Sequence, residues 1–139
     1  MHMYTFSGIE EGDTLQREYT LTEEVYKSFL DAFQDTSPLH VDETFARERG
    51  FAGRVMHGAL LNGFVSHFVG VEYPGKYAML QSVDIQYKNP NYLGDTIRLE
   101  AEVIQKVEAL KVVIIKILLQ NVTQQKIAAT ARAQVGMLE

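Results

Sequence analysis

The chain has 139 residues, 46% of them hydrophobic, with a formal net charge of −5 and no cysteine. This length allows one compact domain with its own core. The acidic balance and 13 scattered Lys and Arg residues argue against a nucleic-acid partner. Without cysteine there are no disulfides, thiolate metal sites or thiol nucleophiles. We found no linker or repeat, so residues 1–139 are predicted to form a single domain.

The N-terminal stretch "MHMYTFSGIEEGD" lacks the basic-then-apolar order of a signal peptide. The sequence also contains no apolar run of membrane-spanning length. We therefore expect a cytoplasmic protein without a membrane partner.

The first third of the chain predicts a strand followed by helices. "LQREYTL", residues 15–21, alternates apolar and polar residues as a strand does. "TEEVYKSFLDAF" follows as an amphipathic helix that Thr22 can cap. Pro38 then forces a turn, and Asp42 can cap a short helix that Gly50 ends.

The rest of the chain predicts one buried helix and an antiparallel sheet. From His57 to Gly70 apolar residues surround the helix, which is typical of a buried one. Four strand-like runs follow, separated by turn signals. These runs are residues 77–90, 94–107, 109–122 and 125–138. The order indicates an α+β fold in which an antiparallel sheet curls around a long central helix.

The stretch "DTSPLH" places a carboxylate and an imidazole on either side of a proline. On a continuous helix Asp35 and His40 would point apart, because five residues make well over one turn. Pro38 prevents that helix, and a turn can bring the two side chains together. The plainer alternative is that Asp35 is only a turn residue and His40 a surface histidine.

Residues 29–66 resemble the hydratase signature of the MaoC-like, or (R)-specific enoyl-CoA hydratase, family. The matching features are Asp35, Pro38-Leu39-His40, the helix start at Asp42 to Ala46, and Gly53 leading to His57-Gly58. "YKNPNYLGDTIRLEAEV" is similar to the strand–turn–strand segment of the same family. Many members have Gly and Asn where this chain has Gln34 and Ser37, which bears on pocket shape more than on the reacting groups.

The resemblance implies a hot-dog fold and a catalytic pair formed by Asp35 and His40. It implies reversible interconversion of a trans-2-enoyl-CoA and an (R)-3-hydroxyacyl-CoA of short to medium chain length. The acyl-CoA thioester would be the substrate, and neither a metal nor a redox cofactor would be needed. Single hot-dog chains of this family pair into homodimers whose facing helices bound the acyl tunnel.

The chemistry of these residues agrees with that reaction. A carboxylate and an imidazole that share one water can carry out the two proton transfers of hydration. The enolate-like oxygen needs preorganised donors, and the backbone N–H of Gly58 at a helix start is one. We expect Ser66, about two turns further on, to orient the pair. His57 is expected only to bond backbone, His67 to be structural, and Asp95 to be a turn residue.

Several alternatives remain open from the sequence. The same fold supports an acyl-carrier-protein dehydratase or an acyl-CoA thioesterase, and a non-catalytic acyl-CoA-binding domain is also possible. A metal site from Asp35, His40 and Asp42 lacks any familiar ligand spacing. A relay of Ser37, His40 and Asp35 would need three neighbours in one tight turn.

The sequence also predicts self-association. "VVIIKILL", residues 112–119, is a longer apolar stretch than one small sheet would show to water. A sheet with an open edge strand needs a partner, and a two-fold pair is the commonest solution. We therefore expect a homodimer with its active site at or near the subunit interface.

Overall fold

A five-stranded antiparallel sheet forms the framework of the protein. The structure is a computed structural model that describes residues 2–139. The strands are β1 (Thr14–Thr20), β2 (Ala78–Tyr87), β3 (Thr96–Val107), β4 (Val112–Asn121) and β5 (Lys126–Met137). Their order across the sheet is β1-β3-β4-β5-β2, so β1 and β2 are the two edges. All five predicted strands are confirmed to within a few residues.

Four helices lie between β1 and β2. They are α1 (Glu23–Phe33), α2 (Pro38–Val41), α3 (Glu43–Glu48) and α4 (Ala59–His67), and a π-helical turn (Phe68–Glu72) continues α4. The predicted caps are confirmed. The side chain of Thr22 accepts from the N–H of Val25 at 3.1 Å. That of Asp42 accepts from the N–H of Phe45 at 3.1 Å. The predicted turn at Pro38 is a single helical turn.

The core lies between α4 and the inner face of the sheet. Alternate residues of β3, β4 and β5 point inwards, as the period of a strand requires. They pack on the buried side chains of α4, which are Leu60, Leu61, Phe64 and Val65.

The expectation that the central helix is buried on nearly all sides is wrong for one of its faces. Ala59, Gly63 and Ser66 are exposed in the single chain. Their spacing of four and three residues places them on one stripe of α4. A row of small residues made this face look apolar in the sequence, although nothing in residues 2–139 covers it.

A buried polar cluster fastens the connection between β2 and β3. The side-chain nitrogen of Asn121 donates to Asn91 Oδ1 at 2.9 Å and to Asp95 Oδ2 at 2.7 Å. Asp95, expected to be a plain turn residue, is only 3% exposed. The carbonyl of Asn91 also accepts from the N–H of Met56 at 2.9 Å. The cluster therefore ties this connection to the segment that leads into α4. Among residues 2–139, no helix is long and apolar enough to cross a membrane.

Candidate active site

The turn between α1 and α2 brings Asp35 and His40 together. α1 ends at Phe33, and the next residue, Gln34, adopts a left-handed conformation with φ of 57°. Such a φ favours glycine, and residues with a side chain adopt it less readily. One carboxylate oxygen of Asp35 and one ring nitrogen each of His40 and His57 lie within 4.8 Å of one another. The proximity predicted for Asp35 and His40 is confirmed.

Backbone groups fix the orientation of His40. Its Nδ1 lies 2.7 Å from the carbonyl oxygen of Val55. Because a carbonyl oxygen only accepts, Nδ1 carries the hydrogen and Nε2 is left as the basic nitrogen. The hydroxyl of Tyr26, on α1, donates to the carbonyl of His40 at 2.7 Å. His40 is half-buried, whereas Asp35 is exposed in the single chain.

His57 is the neighbour of this pair that sequence reasoning undervalued. Its Nε2 donates to the backbone carbonyl of Asp35 at 2.9 Å, so the expected backbone bond is confirmed. Its ring also lies against that of His40, with centroids 4.0 Å apart and planes tilted by 31°. The ring of Phe29, on α1, also packs against the His57 ring, with centroids 4.7 Å apart. The His-Gly pair at a helix start was the signal for it in the sequence.

The start of α4 offers free backbone donors next to His40. Within residues 2–139, the N–H groups of Gly58 and Ala59 have no acceptor, since the first N–H groups to be bonded are those of Leu60 and Leu61. Gly58 and His40 line a cavity of about 340 Å³. Its other walls are Phe51, Val55, Met56 and residues 87–91. Unbonded N–H groups facing a cavity can bind an oxygen that carries negative charge.

Tyr87, at the end of β2, covers Gly58. A Cβ atom at position 58 would lie 3.1–3.3 Å from three atoms of the Tyr87 ring. The hydroxyl of Tyr87 donates to the side-chain oxygen of Asn62, one turn further along α4. The ring of Tyr87 can therefore lie against the start of α4 and form a wall of the cavity because residue 58 is a glycine.

The structure does not bring Ser66 to the pair. Ser66 is exposed on α4, and in the described part of the chain it has no hydrogen bond to Asp35 or His40. Within the single chain, the carbonyl of Val55 bonds the His40 ring, and His57 bonds the backbone carbonyl of Asp35. Asp42 is also occupied elsewhere, because its carboxylate caps α3.

His67 lies away from the pair and forms a structural contact. Its Nδ1 lies 2.8 Å from the hydroxyl of Tyr19, with Tyr19 as the donor to the neutral ring. Burial, with the charge of Arg17 as the smaller cause, lowers the pKa of His67. Burial also raises the pKa of Tyr19 to about 12. Both shifts favour the uncharged forms that make this bond.

Comparison with known proteins places the chain among MaoC-like proteins. Residues 6–126 match the family model described as a MaoC like domain. The (R)-specific enoyl-CoA hydratase of Rhodospirillum rubrum is 33% identical over 95 residues, which are 68% of this chain and 66% of the relative. The mitochondrial 3-hydroxyacyl-[acyl-carrier-protein] dehydratase of Arabidopsis thaliana is 30% identical over 64% of this chain and 52% of its own. The chain thus spans between about half and two thirds of these relatives.

Solved structures confirm the architecture. The unliganded R-hydratase of Pseudomonas aeruginosa superposes with a TM-score of 0.89 at 22% identity, covering 99% of this chain and 87% of the other. The (R)-hydratase from A. caviae superposes with a TM-score of 0.85 at 25% identity, covering 93% of this chain and 97% of the other. The predicted hot-dog fold is therefore confirmed. Since the family match extends over most of its length, the chain belongs to the MaoC-like domain family.

Proposed function

We propose that this protein interconverts trans-2-enoyl-CoA and (R)-3-hydroxyacyl-CoA thioesters of short to medium chain length. The observation that carries the proposal is the meeting of the Asp35 carboxylate with the imidazole of His40 beside the free N–H of Gly58. A base, an acid and an oxyanion donor are the groups that this reaction needs.

In the hydration direction both members of the pair take part in adding one water molecule to the double bond. One member takes a proton from the water as its oxygen bonds to C3. The electrons of the C2–C3 double bond move towards the thioester carbonyl, and the Gly58 N–H stabilises the negative charge on that oxygen. The other member then delivers a proton to C2, and the carbonyl reforms. The two proton-transfer roles are assigned to the pair as a unit. The reaction is redox-neutral and is proposed to use no metal or redox cofactor.

The named relatives support CoA thioesters as the first choice of substrate. Besides the Rhodospirillum rubrum hydratase, a 3-hydroxybutyryl-CoA dehydratase of Methylorubrum extorquens is 30% identical over 70% of this chain. Acyl-carrier-protein dehydratases also match, among them the one from Arabidopsis thaliana. A thioester on acyl carrier protein is therefore the second candidate, with the same chemistry at the same pair.

We also propose that two copies of the chain form the working unit. The edge strand β2 has a free side, and the small-residue face of α4 is uncovered. Asp35 is exposed in the single chain, whereas proton transfer at C2 and C3 benefits from a site closed to bulk water. A second copy packed on β2 and α4 would cover these surfaces and complete the acyl tunnel.

An absorbance assay tests the proposed reaction. The protein is incubated with crotonyl-CoA and with longer enoyl-CoAs, the loss of enoyl absorbance is followed, and the chirality of the product is determined. We expect loss of absorbance and an (R)-3-hydroxyacyl product. Release of free thiol would instead identify a thioesterase. Turnover restricted to enoyl groups on acyl carrier protein would select the second candidate, and ligand binding without any turnover would identify a binding domain.

A further inference from the structure

Asn121 is a buried amide whose hydrogen bonds are all made inside the protein. It is the last residue of β4, only 1% exposed, and lies between β3 and β5 in the sheet. Its Nδ2 donates to Asn91 and to Asp95, and its Oδ1 accepts from the N–H of Gln124 at 2.8 Å. An amide that uses both hydrogens and its oxygen is held in one orientation. Because an interior strand holds its backbone, Asn121 is a fixed point that positions Asn91.

Asn91 connects this fixed point to the segment before α4. Its side chain accepts from Asn121, whereas its backbone carbonyl accepts from the N–H of Met56 at 2.9 Å. The preceding residue, Val55, donates its own N–H in the other direction, to the carbonyl of Leu39 on α2. Residues 55 and 56 therefore bridge α2, which carries His40, and the connection between β2 and β3.

The same segment supplies three groups of the candidate active site. The carbonyl of Val55 accepts from Nδ1 of His40. His57 donates to the backbone carbonyl of Asp35, and Gly58 lines the cavity beside the imidazole. The segment itself is neither helix nor strand, so its position depends on the hydrogen bonds that it makes to its neighbours. A shift of this segment would therefore move all three groups at once.

We infer that Asn121 is a positioning residue for the proposed hydration reaction. Through Asn91 and the N–H of Met56 it sets the position of the segment before α4, and with it the carbonyl that holds Nδ1 of His40. The inference rests on the proposed function and adds a residue that acts from outside the cavity. Asn121 touches no substrate and transfers no proton.

Asn121→Ala removes both donated bonds and thereby the connection from β4 to the segment before α4. A displacement of catalytic groups by about 1 Å can cost about a hundredfold in rate, even when the substituted residue is far from the chemistry. We expect kcat for crotonyl-CoA to fall by about tenfold or more, because a smaller displacement suffices for that loss. Circular dichroism and thermal unfolding establish the temperature at which the variant is folded, and the rates are measured there.

Two control variants separate positioning from stability. Val103→Ala opens a cavity at a buried position of β3, far along that strand from Asp95. Gln124→Ala removes the 3.3 Å bond to Asp95 and keeps both bonds donated by Asn121. We expect both controls to keep kcat within about twofold of the unaltered protein, since their effects do not reach the site. A fall in kcat for Val103→Ala as large as that for Asn121→Ala would overturn the inference.

The ring of His40 gives a readout that a loss of stability alone does not change. In ¹⁵N-histidine-labelled protein without ligand, at about pH 8, an ordinary histidine is neutral. The bond to Val55 keeps the hydrogen on Nδ1, so the two ring nitrogens resonate far apart. In Asn121→Ala we expect the two resonances to move towards each other and the amide of Met56 to exchange faster with solvent. Unchanged resonances and unchanged exchange in the folded variant would overturn the inference.

A milder variant keeps the inference testable if Asn121→Ala does not fold. Asn91→Ala removes the acceptor of one Asn121 hydrogen and leaves the bond to Asp95 in place, and the same resonances and amide exchange then decide. Both measurements are made without substrate, whereas turnover of crotonyl-CoA by the unaltered protein is the separate test of the proposed function. If turnover is found and the His40 resonances do not move, only the role of Asn121 fails.

Discussion

The imidazole of His40 is bonded to the backbone of Val55, and a second bond joins Val55 to the residue before His40. The ring Nδ1 of His40 donates to the carbonyl of Val55 at 2.7 Å, and the N–H of Val55 donates to the carbonyl of Leu39 at 3.0 Å. These two bonds attach the segment before α4 to α2, one through the His40 ring and one through the Leu39 carbonyl. A flip of the imidazole ring, which would swap the positions of Nδ1 and Nε2, would break the bond to the Val55 carbonyl. Nε2 therefore remains the nitrogen available for proton transfer.

Removing either member of the pair should abolish most of the activity. We expect Asp35→Asn and His40→Ala each to lower kcat by at least about a hundredfold, the usual scale of general acid–base help. Steady-state kinetics with crotonyl-CoA measures this. Asp31→Asn is the matched control, because Asp31 is an exposed carboxylate one turn earlier on α1. Near-normal turnover in Asp35→Asn would contradict the assignment of the pair.

A side chain at position 58 should remove the oxyanion contact. In Gly58→Val the Cβ would meet the ring of Tyr87 at 3.1–3.3 Å, so the tyrosine or the helix start must shift. We expect kcat/KM to fall by about 100-fold or more, the scale of one oxyanion donor. Gly70→Ala is the control, since a Cβ at Gly70 meets nothing within 4 Å. A folded Gly58→Val protein with unaltered kcat/KM would rule out this role for Gly58.

The protein should be a dimer in solution. Light scattering at micromolar concentration is expected to give about 31 kDa, twice the chain mass of 15.7 kDa, or a multiple of that value. Met79→Lys should shift the equilibrium towards the single chain, because Met79 lies on the edge strand β2 and is 47% exposed. Lys126→Met, at the start of the inner strand β5, is the control. A stable single chain with full activity would refute the shared site.

The contact between Tyr19 and His67 should make stability depend on pH. The pKa of folded His67 lies below the usual value of 6.5, so the unfolded chain binds the proton more readily. The free energy of unfolding is therefore unaffected by His67 above about pH 6.5 and falls as the pH drops below it. Urea titrations at pH 7.5 and 5 should show a smaller loss for His67→Gln than for the original protein. Equal losses would show that His67 titrates normally.

Most of the fold was predictable because its signals are local. Alternating runs bounded by Pro90, Gly94 and the turn near Thr123 define the strands. The connections from β3 to β4 and from β4 to β5 join neighbours in the sheet, whereas the connection from β2 to β3 joins strands that do not pair. The approach of Asp35 to His40 was predictable for a similar reason. A proline between two reactive side chains five residues apart changes the local geometry in a known way.

What sequence reasoning missed depends on contacts between distant segments. His57 meets the Asp35 carbonyl 22 residues away in sequence. The sequence predicted a backbone bond for His57 but not which carbonyl would accept it. The burial of Asp95 likewise follows from Asn121, which comes from another strand. The position of Ser66 has a different explanation. Helical spacing places it on the face of α4 that points away from the core, and the sequence alone did not distinguish the two faces.

The lone buried side chain of α1, Tyr26, has a consequence for the dynamics of the site. Asp35 lies two residues after α1, and α1 is held to the site by the Tyr26 hydroxyl, by the packing of Phe29 on His57 and by the bond from His57 to Asp35. Segments with few buried anchors open locally at a lower free energy than the whole domain. Each such opening takes the carboxylate away from the imidazole while the sheet stays intact. The fraction of molecules in which Asp35 and His40 lie together therefore depends on the docking of α1. Mild denaturant should abolish activity at a concentration lower than the one that unfolds the protein.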